Sequence, residues 1–192
     1  MTQPAPEPND NHGASAVGDA LPAEIPPELP DVLVPYLQAL TSSPMAELVR
    51  TSSWVYPGLE TVHVVGLGLL FGGIFVLDLR LLGANAGLSV QQLSRHVLPW
   101  VWLGFALNLA SGVMLFASDA LALAANISFQ LKMALLVVAG INATVFQLAI
   151  YPGVRRWGDG GPTPAAVKLA AVLSISLWLS IIALGRLIAY WA

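Results

Sequence analysis

Four long apolar stretches dominate the chain from residue 59 onward, and each is long enough to cross a bilayer as a helix. A spanning helix needs roughly 20 consecutive apolar residues. A strand of a membrane barrel would instead show ~10 residues of alternating polarity, and no such alternation occurs. The pattern therefore predicts an all-α, integral membrane four-helix bundle, with spans at about residues 59–82, 97–117, 129–151 and 169–191.

The first 56 residues differ from the rest of the chain and divide into two parts. Residues 1–30 hold seven of the 14 prolines and almost no aromatic side chains. Such a composition cannot bury enough apolar surface to become ordered, so a disordered, acidic periplasmic tail is predicted. Residues 31–56 are predicted to form short amphipathic helices at the membrane interface, one of them starting at Ser43 and Pro44. Residues 57–192 then form the transmembrane domain.

Composition and charge narrow the possible functions. Charged residues make up 10% of the chain, against about 25% in a typical soluble domain. Cysteine is absent, which excludes disulfides, thiolate metal sites and cysteine nucleophiles. The eight lysines and arginines form no basic patch, so a nucleic-acid partner is not expected.

Basic residues in the loops predict the orientation of the helices, since short cytoplasmic loops are enriched in lysine and arginine. The loop between the first two spans and the loop between the last two are basic, whereas the loop between spans two and three is not. We therefore expect both termini in the periplasm and the protein in the inner membrane of a bacterium. The basic loop residues are Arg80, Arg95, Arg155, Arg156 and Lys168.

Polar side chains inside the spans are the candidates for chemistry, because they are costly in lipid and usually face the interior of the bundle. On the first span, Glu60 and His63 are three residues apart and share a helix face. Gly66 and Gly73 continue this face and leave room for a flat ligand or a close helix. On the opposite face, the GxxxG pattern Gly68–Gly72 predicts helix packing.

The rise of 1.5 Å per residue places several of these side chains at a similar depth. His63 lies about 9 Å, and Lys132 about 5 Å, from the outer ends of their spans. We therefore expect an outer polar layer near the periplasmic surface. Its members are Glu60, His63, Met114, Lys132 and Arg186.

A second polar layer is expected at the cytoplasmic end of the bundle. It would hold Asp78, Arg80, His96 and Gln147. Asp78 and Arg80 are interpreted there as a cytoplasmic helix end that fixes the topology.

Several motifs resemble those of one bacterial membrane family, which is known only as a domain of unknown function. The resemblance covers about residues 43–191 and implies no activity. The motifs are Trp54-Val-Tyr-Pro-Gly-Leu-Glu60-Thr-Val-His63, Asp78-Leu-Arg-Leu-Leu-Gly83, Leu98-Pro-Trp100, Gly104-Phe105, Ser111-Gly112, Lys132, Gly140-Ile-Asn142 and Phe146.

A more distant resemblance concerns a histidine on the first span and a lysine that opens the third. This pair is similar to one in copper-resistance D-type proteins and in membrane haem-dependent protoporphyrinogen oxidases. In the oxidases the pair is associated with haem, which implies haem b at His63 and Lys132 here. Gln147 stands where the resemblance leads us to expect a further histidine, so a second haem on the cytoplasmic side is not implied.

Three hypotheses follow for the outer layer. In the first, the chain is a haem b redox protein with His63 as an axial ligand. Glu60 would then set the imidazole tautomer, Lys132, Met114 or water would complete the coordination, and Arg186 would pair with a propionate. The second is a quinone or small-anion site that uses the same residues without iron. The third is a non-catalytic subunit of a larger membrane complex, with a redox subunit or a second copy of the chain as partner.

Simpler interpretations exist for each residue. His63 is then a hydrogen-bonded interior histidine, and Lys132 and Arg186 extend to the outer surface from the ends of their spans. Met114 is then an ordinary packing residue. Whether the protein is an enzyme stays open, and copper transport is disfavoured because Cu(I) prefers clusters of cysteine and methionine.

The predicted orientation can be tested with reporter fusions. A reporter that works only in the cytoplasm should be inactive when fused after Ala192 and active when inserted near Gly160, since the basic loops are expected inside. The opposite pattern of reporter activity would reverse the orientation and move the outer polar layer to the cytoplasmic side.

Overall fold

The computed structural model describes residues 29–154 and 162–190, and within these ranges the regular structure is helical. The predicted tail lies outside the described residues up to position 28, as do the basic pair at 155–156 and the last two residues. The α-helices with both ends in the described residues are α1 (Val34–Thr41), α2 (Pro44–Thr51), α3 (Val55–Leu82), α4 (Val90–Ser118), α5 (Ala120–Ala125), α6 (Ile127–Val145) and α7 (Ala165–Leu187). A π-helical turn (Phe146–Ile150) and a 3-10 turn (Tyr151–Gly153) extend α6, and a 3-10 turn (Ile188–Tyr190) follows α7.

The four predicted spans are confirmed within the described residues. Helices at Val55–Leu82, Val90–Ser118, Ile127–Gly153 and Ala165–Tyr190 are long and apolar enough to cross a membrane. Only 6% to 28% of the most apolar window of each helix is buried inside the chain, so most of their apolar surface faces outward. An exterior of this kind requires lipid around it, and the chain is therefore a multi-pass membrane protein.

The two short helices before the first span pack at the end of the bundle where α5 lies, called here the α5 end. Ser43 caps α2, as its spacing predicts, by accepting a hydrogen bond from the backbone N–H of Ala46 at 3.3 Å. The buried face of α2 consists of Ala46 and Val49, whereas Leu48 is exposed. Arg50 then joins three elements, because its guanidinium donates to the carbonyl oxygens of Thr41 at 2.7 Å and Ser118 at 3.0 Å.

Helices α3 and α4 form the most extensive contact in the bundle, and glycine makes it possible. A Cβ at Gly104 would lie 2.5 Å from the backbone nitrogen of Leu70, and one at Gly66 would lie 3.0 Å from the carbonyl oxygen of Gly104. The stripe on the His63 face is thus occupied by a close helix, so these glycines leave no room for a flat ligand. The packing expected of Gly68 and Gly72 does not occur within the chain, since a Cβ at either position would meet nothing within 4 Å.

Helices α6 and α7 form a second hairpin, which meets the first through α3 and α7. Asn126 caps α6 through the backbone N–H groups of Ser128 and Phe129, and its amide donates to the carbonyl oxygen of Ile188 at 3.3 Å. At the other end of the bundle, an apolar core cluster joins the two hairpins. It contains Leu81, Val90, Val154, Val167 and Ala171.

The loop between α3 and α4 is ordered by the end of α3. Gly83 ends the helix with φ of +114°, a left-handed conformation that glycine adopts without strain. Arg80 donates to the carbonyl oxygens of Leu88 at 2.6 Å and Ala86 at 3.0 Å. Asp78 and Arg80 lie near the end of α3, as the sequence predicts, and both side chains are buried.

The glycine contact gives a matched pair of substitutions. Gly104→Ala should destabilise the bundle by about 1–3 kcal/mol, the usual cost of overpacking, because its methyl group would collide with the backbone of α3. Gly68→Ala should leave stability unchanged or slightly higher, since its site is open and alanine favours helix. Thermal unfolding in detergent measures both effects. Equal melting temperatures for the two variants would contradict the assigned interface.

Candidate functional site

His63 lies on α3 in the part of the bundle nearer the α5 end, about 12 Å along the helix from Val55. The side chain is half-buried. Helix α4 packs closely against α3, whereas α6 does not. His63 therefore lies at the junction of the two helical hairpins and not in the centre of one.

The imidazole is held by two residues of α4. Its Nδ1 lies 3.0 Å from the hydroxyl oxygen of Ser111, and the Asn108 amide donates to the carbonyl oxygen of His63 at 2.9 Å. Ser111 is almost fully buried, and its Oγ lies 2.6 Å from the carbonyl oxygen of Leu107. Both the ring and the backbone of His63 are thus fixed by a neighbouring helix.

These distances select one tautomer of the imidazole. A serine hydroxyl has a single proton to donate, and the short contact to Leu107 takes it. The Ser111 oxygen must then accept the remaining bond from His63, so Nδ1 carries the proton. The other ring nitrogen, Nε2, is left with its lone pair available to a ligand.

Lys132 approaches the same region from the second hairpin. It is half-buried on α6 and lies close enough for its charge to act on the imidazole of His63. Its amine rests against α7, because a Cβ at Gly185 would lie 3.6 Å from Nζ. On the other side, a Cβ at Gly112 would lie 3.3 Å from Cε1 of His63. A glycine thus stands beside each of the two polar side chains.

An aromatic pair lies one turn from these residues toward the α5 end. The rings of Phe116 on α4 and Phe129 on α6 are stacked, with centroids 5.2 Å apart and planes 9° apart. The two rings lie between the hairpins, at a level between the His63–Lys132 pair and the α5 end of the bundle. The site is therefore closed by apolar rings on this side.

The comparisons with known proteins identify the family. The model of the family of unknown function DUF6644 matches residues 39–191, which is most of the chain. The chain belongs to this family. No curated protein and no solved structure matches it. The resemblance inferred from the motifs is thus confirmed at the level of the family, and the family brings no activity with it.

Three other predicted site residues of this DUF6644 member are not brought to His63 by the fold. They are Glu60, Arg186 and Met114. Glu60 is exposed, and its charge acts on Tyr56 and not on the imidazole, which Ser111 orients instead. Arg186 is also exposed and lies over the ring of Tyr190, 5.9 Å from its centroid. Met114 is half-buried two residues beyond Gly112, on nearly the opposite side of α4.

The second polar layer expected at the other end of the bundle does not assemble. His96 is exposed, with Nδ1 2.8 Å from the carbonyl oxygen of Gln92 in its own helix. Gln147 is also exposed. Asp78 is buried by contrast and faces Ser174 of α7, a partner that spacing along one helix cannot reveal.

The sequence did not indicate a cleft at the α5 end, which polar and apolar side chains line together. It has a volume of about 500 Å³ and is formed by parts of five helices. Arg50, whose backbone contacts join α2 to α1 and to α4, is part of its wall. The sequence does show a basic residue in the last turn of a short helix, but it does not show which distant residues that side chain contacts. The lining residues are Thr41, Arg50, Tyr56, Leu115, Ser118, Asp119 and Leu123.

Proposed function

We propose that this membrane protein binds haem b, with Nε2 of His63 as an axial ligand of the iron. The observation that carries the proposal is the contact of Nδ1 with the Ser111 hydroxyl, whose proton is directed to the carbonyl oxygen of Leu107. On this geometry Nδ1 is the donor and Nε2 keeps its lone pair. Histidine ligands of metals almost always donate their other ring N–H to a neighbouring acceptor. When bound, haem would supply one-electron redox chemistry.

The set of donor groups favours a porphyrin over a bare metal ion. Within residues 29–154 and 162–190, no group of three or more His, Cys, Asp or Glu side chains could hold an ion. A bare zinc or copper ion needs three or four protein ligands. Haem brings four nitrogen ligands of its own, so that one histidine is enough to attach it.

Lys132 supports the same proposal from the opposite hairpin. Its amine is partly removed from water beside Gly185, where an unpaired ammonium group is costly. A propionate carboxylate would compensate that charge, and a neutral amine would serve as a second axial ligand. Arg186, over the Tyr190 ring, and Met114, turned from the imidazole, are weaker candidates for these roles.

The tautomer also separates this proposal from a quinone or small-anion site. A quinone carbonyl or an anion needs a hydrogen-bond donor, and a neutral imidazole with a lone pair on Nε2 offers none there. Only Lys132 of the pair would serve such a ligand. A non-catalytic subunit in a larger complex requires neither feature. We place the site near the periplasmic face of an inner membrane, on the loop charges alone.

The first test is the visible spectrum of the protein purified from haem-replete cells. The wild-type protein should show a Soret band that His63→Ala abolishes, because the iron loses its ligand. His96→Ala is the matched control, since His96 is exposed at the other end of the bundle, and it should keep the band. A wild-type protein without Soret absorbance would leave the quinone and subunit hypotheses. Lys132→Met should shift the band only if the amine completes the coordination.

A second test addresses the hydrogen bond that orients the imidazole. Ser111→Ala should weaken haem binding about 10- to 100-fold, as loss of a partner that orients a metal ligand typically does. Ser118→Ala is the matched control, since Ser118 is equally buried on α4 and donates to a carbonyl oxygen of its own helix. Haem titration of the two apoproteins measures the difference. Equal affinities would show that Ser111 does not act on a ligand nitrogen.

A further inference from the structure

Asp78 is a buried carboxyl inside a membrane-spanning helix, and the proposed haem site does not use it. Its side chain is 6% exposed and lies about 6 Å along α3 from the end of the helix at Leu82. Among the residues that the structure describes, its Oδ2 has no hydrogen-bond partner. The hydroxyl of Ser174, on the facing helix α7, is the polar group at this carboxyl.

Charged side chains on the surrounding elements are directed elsewhere. Arg80, two residues along α3, donates to the carbonyl oxygens of Leu88 and Ala86 in the following loop. On α4, Arg95 and His96 are exposed, and on α7, Lys168 is exposed. Within the described part of the chain, burial is the larger influence on the Asp78 carboxyl and favours its neutral form, whereas the Ser174 hydroxyl favours the ionised form and offsets only part of this effect.

The neighbourhood on α7 is otherwise apolar. Val167, Ala171 and Ser174 recur at helical spacing along one face, and the first two belong to the core cluster with Leu81. Because Leu81 is one turn from Asp78, the carboxyl and Ser174 extend this cluster toward the middle of the membrane. An ionised carboxylate without a cation costs so much free energy in such surroundings that the neutral acid is the stable form.

A metal cation is a poor alternative occupant. Hard cations such as Ca²⁺ take six to eight oxygen ligands, whereas one carboxyl and one hydroxyl offer three oxygens. No group of three or more metal-ligating side chains occurs in the described residues. The ligand that this pair of groups can hold is therefore a proton.

We propose that Asp78 and Ser174 form a proton-binding site at the contact between α3 and α7, with the proton on the Asp78 carboxyl. The contact also joins the two helical hairpins. Release of the proton leaves a negative charge beside the core cluster and thus weakens the contact between α3 and α7. The proposal is independent of haem, since His63 lies 15 residues away on α3, about 22 Å by helix rise.

The direct test is infrared spectroscopy of the full chain in phosphatidylcholine vesicles at neutral pH. Protonated carboxyl groups absorb apart from ionised ones, so a protonated-carboxyl band is expected that shifts in D₂O and on labelling with ¹³C-aspartate. Asp78→Asn should remove the band, whereas Glu60→Gln, which changes an exposed acid, should not. A wild-type spectrum without the band, or with a band that the labelled aspartate does not shift, overturns the proposal.

Thermal unfolding of the same variants gives an independent outcome. Asp78→Asn replaces a neutral acid by a neutral amide of the same shape, so its melting temperature should equal that of the wild type. If Asp78 were ionised and paired with a cation, the amide would leave that cation uncompensated. A melting temperature well below that of the wild type, with Glu60→Gln unchanged, would therefore also overturn the proposal.

Discussion

The contact between the backbones of α3 and α4 is the constraint on which the candidate site depends. Only glycine at positions 66 and 104 lets the two helices approach as closely as they do, since a Cβ at Gly104 would lie 2.5 Å from the nitrogen of Leu70. At this separation the short side chains of Asn108 and Ser111 reach the carbonyl oxygen and the ring of His63. Without the approach, Nδ1 of His63 would lose its contact with Ser111 in the membrane, where water does not replace it.

Helix α7 connects the two ends of the molecule. Its inward face carries small side chains where it meets polar groups and apolar ones where it meets the core cluster. Ser174 faces the Asp78 carboxyl, and Gly185 leaves space beside the Lys132 amine. Between them, Ile181 is buried, and the two polar regions are about three helical turns apart. The inward face of α7 thus forms the contact between the hairpins and also provides the space beside the buried polar groups.

Elements that depend on local sequence could be predicted, and contacts between helices could not. The spans and the cap at Ser43 follow from apolar length and from the chemistry of one residue. Helical spacing placed Glu60 on the same face as His63, yet Ser111 orients the ring, because the choice depends on which helix is adjacent. The same limit explains why Gly68 resembled a packing residue and why the burial of Asp78 was not expected.

The two polar regions also differ in the way that each is balanced. At His63, the ring contacts Ser111 of α4 through Nδ1, and the charge of Lys132 on α6 acts on the imidazole. At Asp78, a single acid faces the Ser174 hydroxyl, and within the described residues its Oδ2 has no hydrogen-bond partner. Helix α3 between them carries mainly apolar residues and glycine. Because about 22 Å of helix separates His63 from Asp78, neither region supplies a hydrogen-bonding partner or a counterion to the other.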